Sequence, residues 1–243
     1  MRNIYAALIL CVLLCIASVT AQTVTITGQK KVYTRAKPIV GFKKTFTIRR
    51  PIAKASTLAL SRKITAAIDP ATVLDIDIKD ELMESQWLSE ADFQEVFNDK
   101  GVLTMELWME GSGAYSSGVT KYVVVDLMTG DRVMPTDVFV NIPGLVAAVK
   151  KKQDAEVEEA IKVIKADPEF PADQDPKSLF EYTDLEEKDL ENFAIDMAGV
   201  AFFYEYGFPN AIKALQPEGE LRLSWNEIKP FIRKDGLLAR FVR

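Results

Sequence analysis

Hydrophobic and polar positions alternate in several short stretches of the chain. Residues 42–52, FKKTFTIRRPI, place Phe42, Phe46 and Ile48 on one side and mainly basic or hydroxyl side chains on the other. Residues 103–110, LTMELWME, alternate more regularly still. A period of two residues is typical of strands with one buried face. VTKYVVVDL follows the second stretch across the loop GSGAYSSG, so we predict an antiparallel pair of strands there.

Other stretches follow the helical period. We predict a helix that opens at Ser56 and ends before the Asp69-Pro70 pair, and a longer helix capped by Asn141 with Pro143 in its first turn. The final third holds the predicted strands NFAID, VAFFYEY and ELRLSW and a closing helical segment, NEIKPFI. Strands in antiparallel order, interrupted by helices without regular alternation, indicate an α+β fold. We expect a twisted antiparallel sheet with helices packed on it, as one unit or as two closely packed halves.

The first 21 residues have the pattern of a signal peptide. The apolar run IYAALILCVLLCIASV follows Arg2 and ends at small residues suited to signal peptidase. A retained transmembrane anchor and a lipid attached at Cys15 are the alternatives. We therefore expect a periplasmic or extracellular protein that begins near Gln22 and has no stable membrane insertion after cleavage. Basic N-terminal strands occupy 22–54 and the main domain 55–243 in this scheme, with 22–243 forming one folded unit.

The composition narrows the chemistry further. The 243 residues include no histidine, and both cysteines lie within the first 15 positions. Disulfides, thiolate catalysis and zinc coordination are therefore not expected after cleavage, and we predict neither a metal nor a cofactor. Asp75 with Asp77, and Asp173 with Asp175, are carboxylate pairs that could bind calcium or act on a glycosidic bond, but neither has the spacing of a calcium loop.

Charge is divided unevenly along the chain. Residues 22–68 carry 11 Lys and Arg and no Asp or Glu, whereas residues 69–243 carry 18 basic and 35 acidic side chains. The basic strands could hold an anionic glycan or nucleic acid, or they could pair with the acidic part of the same fold. The overall acidic excess argues against a nucleic-acid partner. An acidic surface would instead attract a basic partner.

Several short motifs occur in an order that resembles a known family. They are the strand-turn residues Asp126, Thr129 and Gly130, then Asp137-Val138-Phe139, the Gly113-Ala114 loop, and the closing Gly219 strand with Ile228-Lys229-Pro230. Across roughly 42–232 the sequence resembles the extracytoplasmic domain of RsiV-type anti-sigma factors, which also occurs beside PdaC-type polysaccharide deacetylases. The resemblance implies an α+β domain that recognises ligands at the cell envelope, and RsiV-type members bind lysozyme. It implies binding rather than catalysis.

The departures from that family limit what can be transferred. Only three residues precede the apolar run, and histidine is absent, so sigma-factor control and deacetylation are not expected here. The loop that reads Gly-Ala-His in the family reads Gly113-Ala114-Tyr115, and its Pro-Tyr-type turn reads Phe208-Pro209-Asn210. These two loops are the predicted ligand-contact regions.

The predicted site combines those loops with an aromatic stripe. Phe202, Tyr204, Tyr206 and Phe208 share one parity, so on a strand they would form a core face or a surface that stacks on sugar rings. Because Tyr206 and Phe208 approach the Pro209 loop, we expect these two to emerge at the surface.

The predicted ligand-binding residues are Tyr115, Tyr206, Phe208, Pro209 and Asn210. The expected function is non-enzymatic recognition of a lysozyme-like muramidase or an envelope glycan. A carboxylate-based envelope hydrolase and a structural envelope protein are the alternatives.

Overall fold

The structure is a computed structural model that describes residues 23–112, 116–168, 170–171 and 173–242. The predicted signal peptide and Tyr115 lie outside these residues. The strands are β1 Thr25–Thr34, β2 Thr45–Lys54, β3 Leu88–Asp99, β4 Val102–Ser112, β5 Ser116–Asp126, β6 Phe193–Ile195, β7 Gly199–Phe203 and β8 Glu220–Ser224. The α-helices are α1 Leu58–Ala67, α2 Pro70–Val73, α3 Ile78–Met83, α4 Pro135–Val138, α5 Ile142–Ala166 and α6 Trp225–Ile228. Short 3-10 helices occupy Pro176–Phe180, Glu187–Glu191, Asn210–Leu215, Lys229–Phe231 and Leu237–Phe241.

The strands form two sheets, which confirms the predicted α+β class. Strands β1 to β5 make a five-stranded sheet in chain order, and β6, β7 and β8 make a three-stranded antiparallel sheet. The predicted antiparallel pairing of β4 with β5 is confirmed over the whole length of both strands. Within the described residues, no helix has the length and apolar composition needed to cross a membrane.

One pairing in the larger sheet was not predicted. Strands β2 and β3 run parallel, with Thr47 opposite Glu90 and Ile48 opposite Ala91. A parallel pair requires a crossover connection, and helices α1, α2 and α3 supply it. Strand β3 was not predicted from the sequence, because bulges between Leu88 and Glu90 and between Glu95 and Phe97 interrupt its alternation.

The two longest helices begin close to where the sequence places them. Asn141 caps α5 as predicted, since its side chain accepts a hydrogen bond from the Gly144 amide. Helix α1 is capped by Thr57 rather than by Ser56, the residue expected from the sequence; the Thr57 side chain accepts from the Leu60 amide. The prediction was therefore one residue early, although the neighbouring hydroxyl performs the same capping role.

Thr104 joins the two sheets at a fully buried position. Its hydroxyl donates to the Ile195 carbonyl at 2.8 Å and accepts from the Ile195 amide at 3.3 Å. Ile195 lies in β6, whose first residue, Phe193, packs in the core between the small sheet and α5. A second core lies between the large sheet and α1. The Thr104 hydroxyl, in the middle of β4, thus satisfies both the backbone amide and the backbone carbonyl of Ile195 in β6.

Four of the basic residues of the N-terminal region pair with carboxylates of the later, acidic part. The ion pairs are Arg35 with Glu81, Arg49 with Asp92, Arg50 with Asp69, and Lys63 with Asp131. This agrees with the interpretation in which the two oppositely charged regions belong to one fold. The four ion pairs involve only four of the 11 basic residues of this region.

Arg35 is the most deeply buried of these cations, with no exposed surface. Its guanidinium donates to the carbonyl oxygens of Glu81, Lys43 and Leu88 at 2.9, 2.7 and 2.8 Å. It also donates to the Glu81 carboxylate at 3.1 Å and lies over the Phe46 ring. Since Lys43 lies in the β1–β2 turn, Glu81 in α3 and Leu88 at the start of β3, Arg35 holds the end of the β1–β2 hairpin against α3 and β3.

We predict that Arg35→Ala lowers the free energy of unfolding by about 3–5 kcal/mol, because it leaves the Glu81 carboxylate buried without its charge partner. Urea unfolding measures this change. Lys63→Ala is the control, since it breaks the exposed Lys63–Asp131 pair and should leave the stability close to that of the parent. A loss for Arg35→Ala no larger than that of the control would contradict the structural role given to Arg35.

A surface ion pair ties α5 to α6. Glu227 accepts hydrogen bonds from Lys152 of α5 at 2.7 Å and from the Ser224 hydroxyl and amide at 2.7 and 2.8 Å. The bond from Lys152, followed by those from Ser224, lowers the pKa of Glu227 from 4.5 to about 2. A carboxyl with a lowered pKa in the folded protein stabilises the fold above its unfolded-state pKa.

Glu227→Gln should therefore lose stability relative to the parent near pH 6, and that difference should shrink as the pH falls from about 4.5 towards about 2. In this range the Glu227 carboxylate of the parent becomes protonated and its advantage disappears. Urea unfolding of both proteins at several pH values measures the difference. A difference that stays constant down to pH 2 would show that the charge of Glu227 is not what stabilises this contact.

Candidate functional site

Residues 204–219, between β7 and β8, form a loop called here the site loop, which carries Tyr206, Phe208, Pro209 and Asn210. Glu156 fixes this loop to helix α5. The Glu156 carboxylate accepts from the Tyr206 hydroxyl at 2.7 Å and from the Gly219 amide at 3.0 Å. These two residues stand at opposite ends of the loop. Burial, followed by the hydrogen bond to Glu156, raises the pKa of Tyr206 above its usual value, so the phenol stays protonated and donates.

Polar side chains also cross-link the loop internally. Gln216 accepts from the Phe208 amide at 2.9 Å and from Lys213 at 3.1 Å, and it donates to Glu205 at 3.2 Å. Lys213 also forms an ion pair with Glu205. Although burial acts to raise it, these bonds lower the pKa of Glu205 below its usual value. The loop therefore has a defined shape before any ligand binds.

The expectation that Tyr206 and Phe208 emerge at the surface is wrong. Their side chains are only 6% and 5% exposed, and both rings pack against Phe180, with centroid distances of 5.7 and 5.2 Å. The strand that was expected to continue through Tyr206 ends at Phe203, and the chain turns at Gly207, where φ is +70°. Both aromatics thus support the loop from beneath, whereas Pro209 and Asn210 on top of it are exposed.

Strands β4 and β5, which flank the first predicted contact loop, and the turn at Asn210 line one groove of about 410 Å³, called here the hairpin groove. Asn210 and Lys213 line it together with Glu110, Gly111, Ser117 and Gly118 of the β4–β5 hairpin. The full lining comprises Lys43, Ser89, Glu110, Gly111, Ser117, Gly118, Asn210 and Lys213. Tyr115 belongs to this hairpin in sequence, although it lies outside the described residues.

Trp87 and two glycines shape the hairpin side of the groove. The Trp87 indole lies directly against Gly111, where a Cβ atom would collide with its ring, and its Nε1 donates to the Ser117 hydroxyl at 3.2 Å. Gly118 stands opposite Glu110 in the β4–β5 register. Gly111 is buried against the indole, whereas Ser117 and Gly118 are exposed. The groove therefore offers hydroxyls, an amide side chain and a few charges, which suits recognition by hydrogen bonds.

One member of each carboxylate pair caps a helix. Asp77 caps α3 by accepting from the amides of Lys79 and Asp80. Asp175 caps the first 3-10 helix by accepting from the Lys177 amide. Among the residues that the structure describes, no group of three or more His, Cys, Asp or Glu side chains is arranged to hold a metal ion.

A second concavity, a cleft of about 420 Å³, lies beside β5 and was not predicted from the sequence. Tyr122 and Phe203 stack in it with ring centroids 3.7 Å apart, and Arg132 lines it and donates to the Ala67 carbonyl at 2.6 Å. Burial, followed by the charges of Glu106 and Glu220, raises the pKa of Tyr122 to about 12. No single stretch of the sequence predicts this cleft, since its lining residues come from five separate parts of the chain.

Two solved structures are similar to this fold. One is a member of the DUF3298 family from Bacteroides fragilis, with 14% sequence identity and a TM-score of 0.53; the alignment covers 92% of this chain and 98% of that one. The other is a DUF3298 family protein from Pseudomonas aeruginosa PAO1, with the same identity and TM-score and with coverages of 87% and 94%. No model of a known protein family matches the sequence, and no curated protein matches it. The chain therefore shares its fold with proteins of the DUF3298 family.

Proposed function

We propose that this protein is a secreted or periplasmic recognition domain without catalytic activity, and that it binds a lysozyme-like muramidase at the hairpin groove. One observation carries the proposal: the β4–β5 hairpin and the Asn210–Leu215 turn, separated by about a hundred residues in sequence, line the same groove. These are the two loops that the resemblance to RsiV-type domains implies as contact regions. An envelope glycan is the second ligand that the resemblance allows.

The acidic charge of helix α5 and of the segment that follows it favours a basic protein ligand over a neutral glycan, although the groove itself is lined by Lys43 and Lys213 besides Glu110. Helix α5, to which Glu156 ties the site loop, exposes Asp154, Glu158 and Glu159. Residues 154–191 together carry 14 carboxylates. Such a surface accelerates the approach of a positively charged enzyme and is sensitive to salt.

The loop anchors support recognition by a preformed site. Glu156 and Gln216 fix the site loop, and Trp87 holds the loop end of the β4–β5 hairpin at Gly111 and Ser117. A loop that is already ordered loses less conformational entropy when a ligand binds. The rigid setting also means that Pro209 and Asn210, rather than the buried aromatics, present the contact surface.

We predict saturable binding in calorimetric titration of the chain from Gln22 to Arg243 with purified lysozyme, with an affinity that falls as salt rises. Asn210→Arg should weaken this affinity at least about ten-fold, because it fills the groove and adds a charge that repels a basic enzyme. Asn226→Arg is the matched control, since it adds the same charge at an exposed position outside the groove lining. The control should bind as the parent does.

Other outcomes separate the alternatives. If Asn210→Arg and Asn226→Arg weakened the affinity for lysozyme equally, a general charge effect would explain the loss, and contact at the hairpin groove would be contradicted. Binding of soluble peptidoglycan fragments, with none of lysozyme, would make a glycan the ligand. Release of sugar or peptide fragments from purified peptidoglycan would contradict the non-enzymatic proposal and favour an envelope hydrolase.

A further inference from the structure

The β1–β2 hairpin ends in an apolar turn surrounded by lysines. Residues 37–44, here called the hairpin tip, read KPIVGFKK. At its apex the Val40 side chain is 98% exposed, and that of Ile39 is 44% exposed. A single exposed valine is ordinary on a protein surface. Here two neighbouring aliphatic side chains are exposed at the same turn.

The tip is held in this conformation by buried polar side chains. Gln86 donates to the Lys37 carbonyl at 3.0 Å and accepts from the Ile39 amide at 2.9 Å. Arg35 donates to the Lys43 carbonyl at 2.7 Å. The turn itself is closed by the Phe42 amide donating to the Ile39 carbonyl, with Gly41 at a φ of +91°. Val40 is therefore directed into solvent by an anchored loop.

The charge around the tip is positive and unpaired. Lys37, Lys43 and Lys44 are exposed. Within the described part of the chain, no carboxylate lies at ion-pair distance from any of the three. The other cations on the same ribbon that form no such pair are Lys30, Lys31 and Lys54. The ion pairs of Arg35, Arg49 and Arg50 thus neutralise only part of this ribbon.

We infer that the hairpin tip docks on the surface of an anionic lipid bilayer. Ile39 and Val40 enter the boundary between headgroups and acyl chains, while the lysines of the tip contact lipid phosphates. Apolar side chains flanked by lysines gain from both the hydrophobic transfer and the negative surface potential of such a bilayer. This docking is independent of the ligand proposed for the hairpin groove, although Lys43 borders both surfaces.

The exposed aliphatic apex distinguishes a bilayer from a soluble polyanion. A polyanionic glycan would satisfy the lysines but would leave Val40 in water. Only an apolar phase gives the Val40 side chain a favourable transfer out of water. The contribution of Val40 to binding is therefore the decisive quantity.

Co-sedimentation with vesicles tests the inference. The protein should bind vesicles of phosphatidylcholine mixed with phosphatidylglycerol, bind vesicles of phosphatidylcholine alone far more weakly, and dissociate as salt rises. Val40→Ser should weaken binding to the mixed vesicles roughly five-fold. The double variant Lys37→Gln with Lys44→Gln should weaken it roughly ten-fold or more.

Val163→Ser is the matched control, because Val163 is also an exposed valine, at 60%, and lies on α5. It should bind vesicles as the parent does, and circular dichroism should show that all variants keep the parent fold. No binding to the mixed vesicles would overturn the inference. Parent-like binding by Val40→Ser, with loss in the lysine variant, would also overturn it and would identify a general polyanion surface. Equal displacement of the parent and of Val40→Ser from the vesicles by the same concentration of a soluble anionic polysaccharide would overturn the inference as well.

Discussion

The buried guanidinium of Arg35 is the constraint on which both proposed surfaces depend. A fully buried cation is tolerated only where acceptors surround it, and here they are the Glu81 carboxylate and the carbonyls of Lys43, Glu81 and Leu88. These partners belong to the end of the first hairpin, to α3 and to β3. By satisfying Arg35, the chain fixes Lys43 at the edge of the hairpin groove and points the apex of the hairpin tip away from the body.

The hairpin groove also requires the two sheets to keep their relative position. Glu110, Gly111, Ser117 and Gly118 of the groove belong to the large sheet, whereas Asn210 and Lys213 lie in the connection between the small-sheet strands β7 and β8. The Thr104 hydroxyl bonds both polar groups of Ile195 across the junction. Glu156 then ties the site loop to α5. The segments that line the hairpin groove are thus far apart in the chain, and the buried or half-buried polar contacts of Arg35, Thr104 and Glu156 hold them in place beside the apolar cores.

Local patterns predicted those elements whose period is uninterrupted. The strands β4 and β5 and the Asn141 cap of α5 agree with the sequence because strict alternation and a capping side chain are local signals. Strand β3 escaped prediction because its bulges shift the period. The exposure of Tyr206 and Phe208 was wrongly predicted because alternate residues share a face only within a strand, and strand β7 ends at Phe203, before both of them.

The candidate site was predictable only in part. The sequence and the family resemblance singled out the loop between β4 and β5 and the turn at Asn210, yet it is packing between residues far apart in the chain that brings the flanking strands β4 and β5 and that turn to one groove. The anchors Gln86, Trp87 and Glu156 have no distinguishing local pattern, since each acts on a partner more than twenty residues away. The cleft at Tyr122 escaped notice for the same reason.

Hydrogen–deuterium exchange of the protein with and without lysozyme tests the central claim, recognition at the hairpin groove, most directly. The account predicts slower exchange confined to peptides that cover residues 111–118 and 209–216. Slower exchange at residues 188–205, with those two segments unchanged, would place the ligand in the cleft beside β5 and contradict the proposed site. Unchanged exchange throughout, at concentrations that saturate any binding, would contradict lysozyme recognition itself.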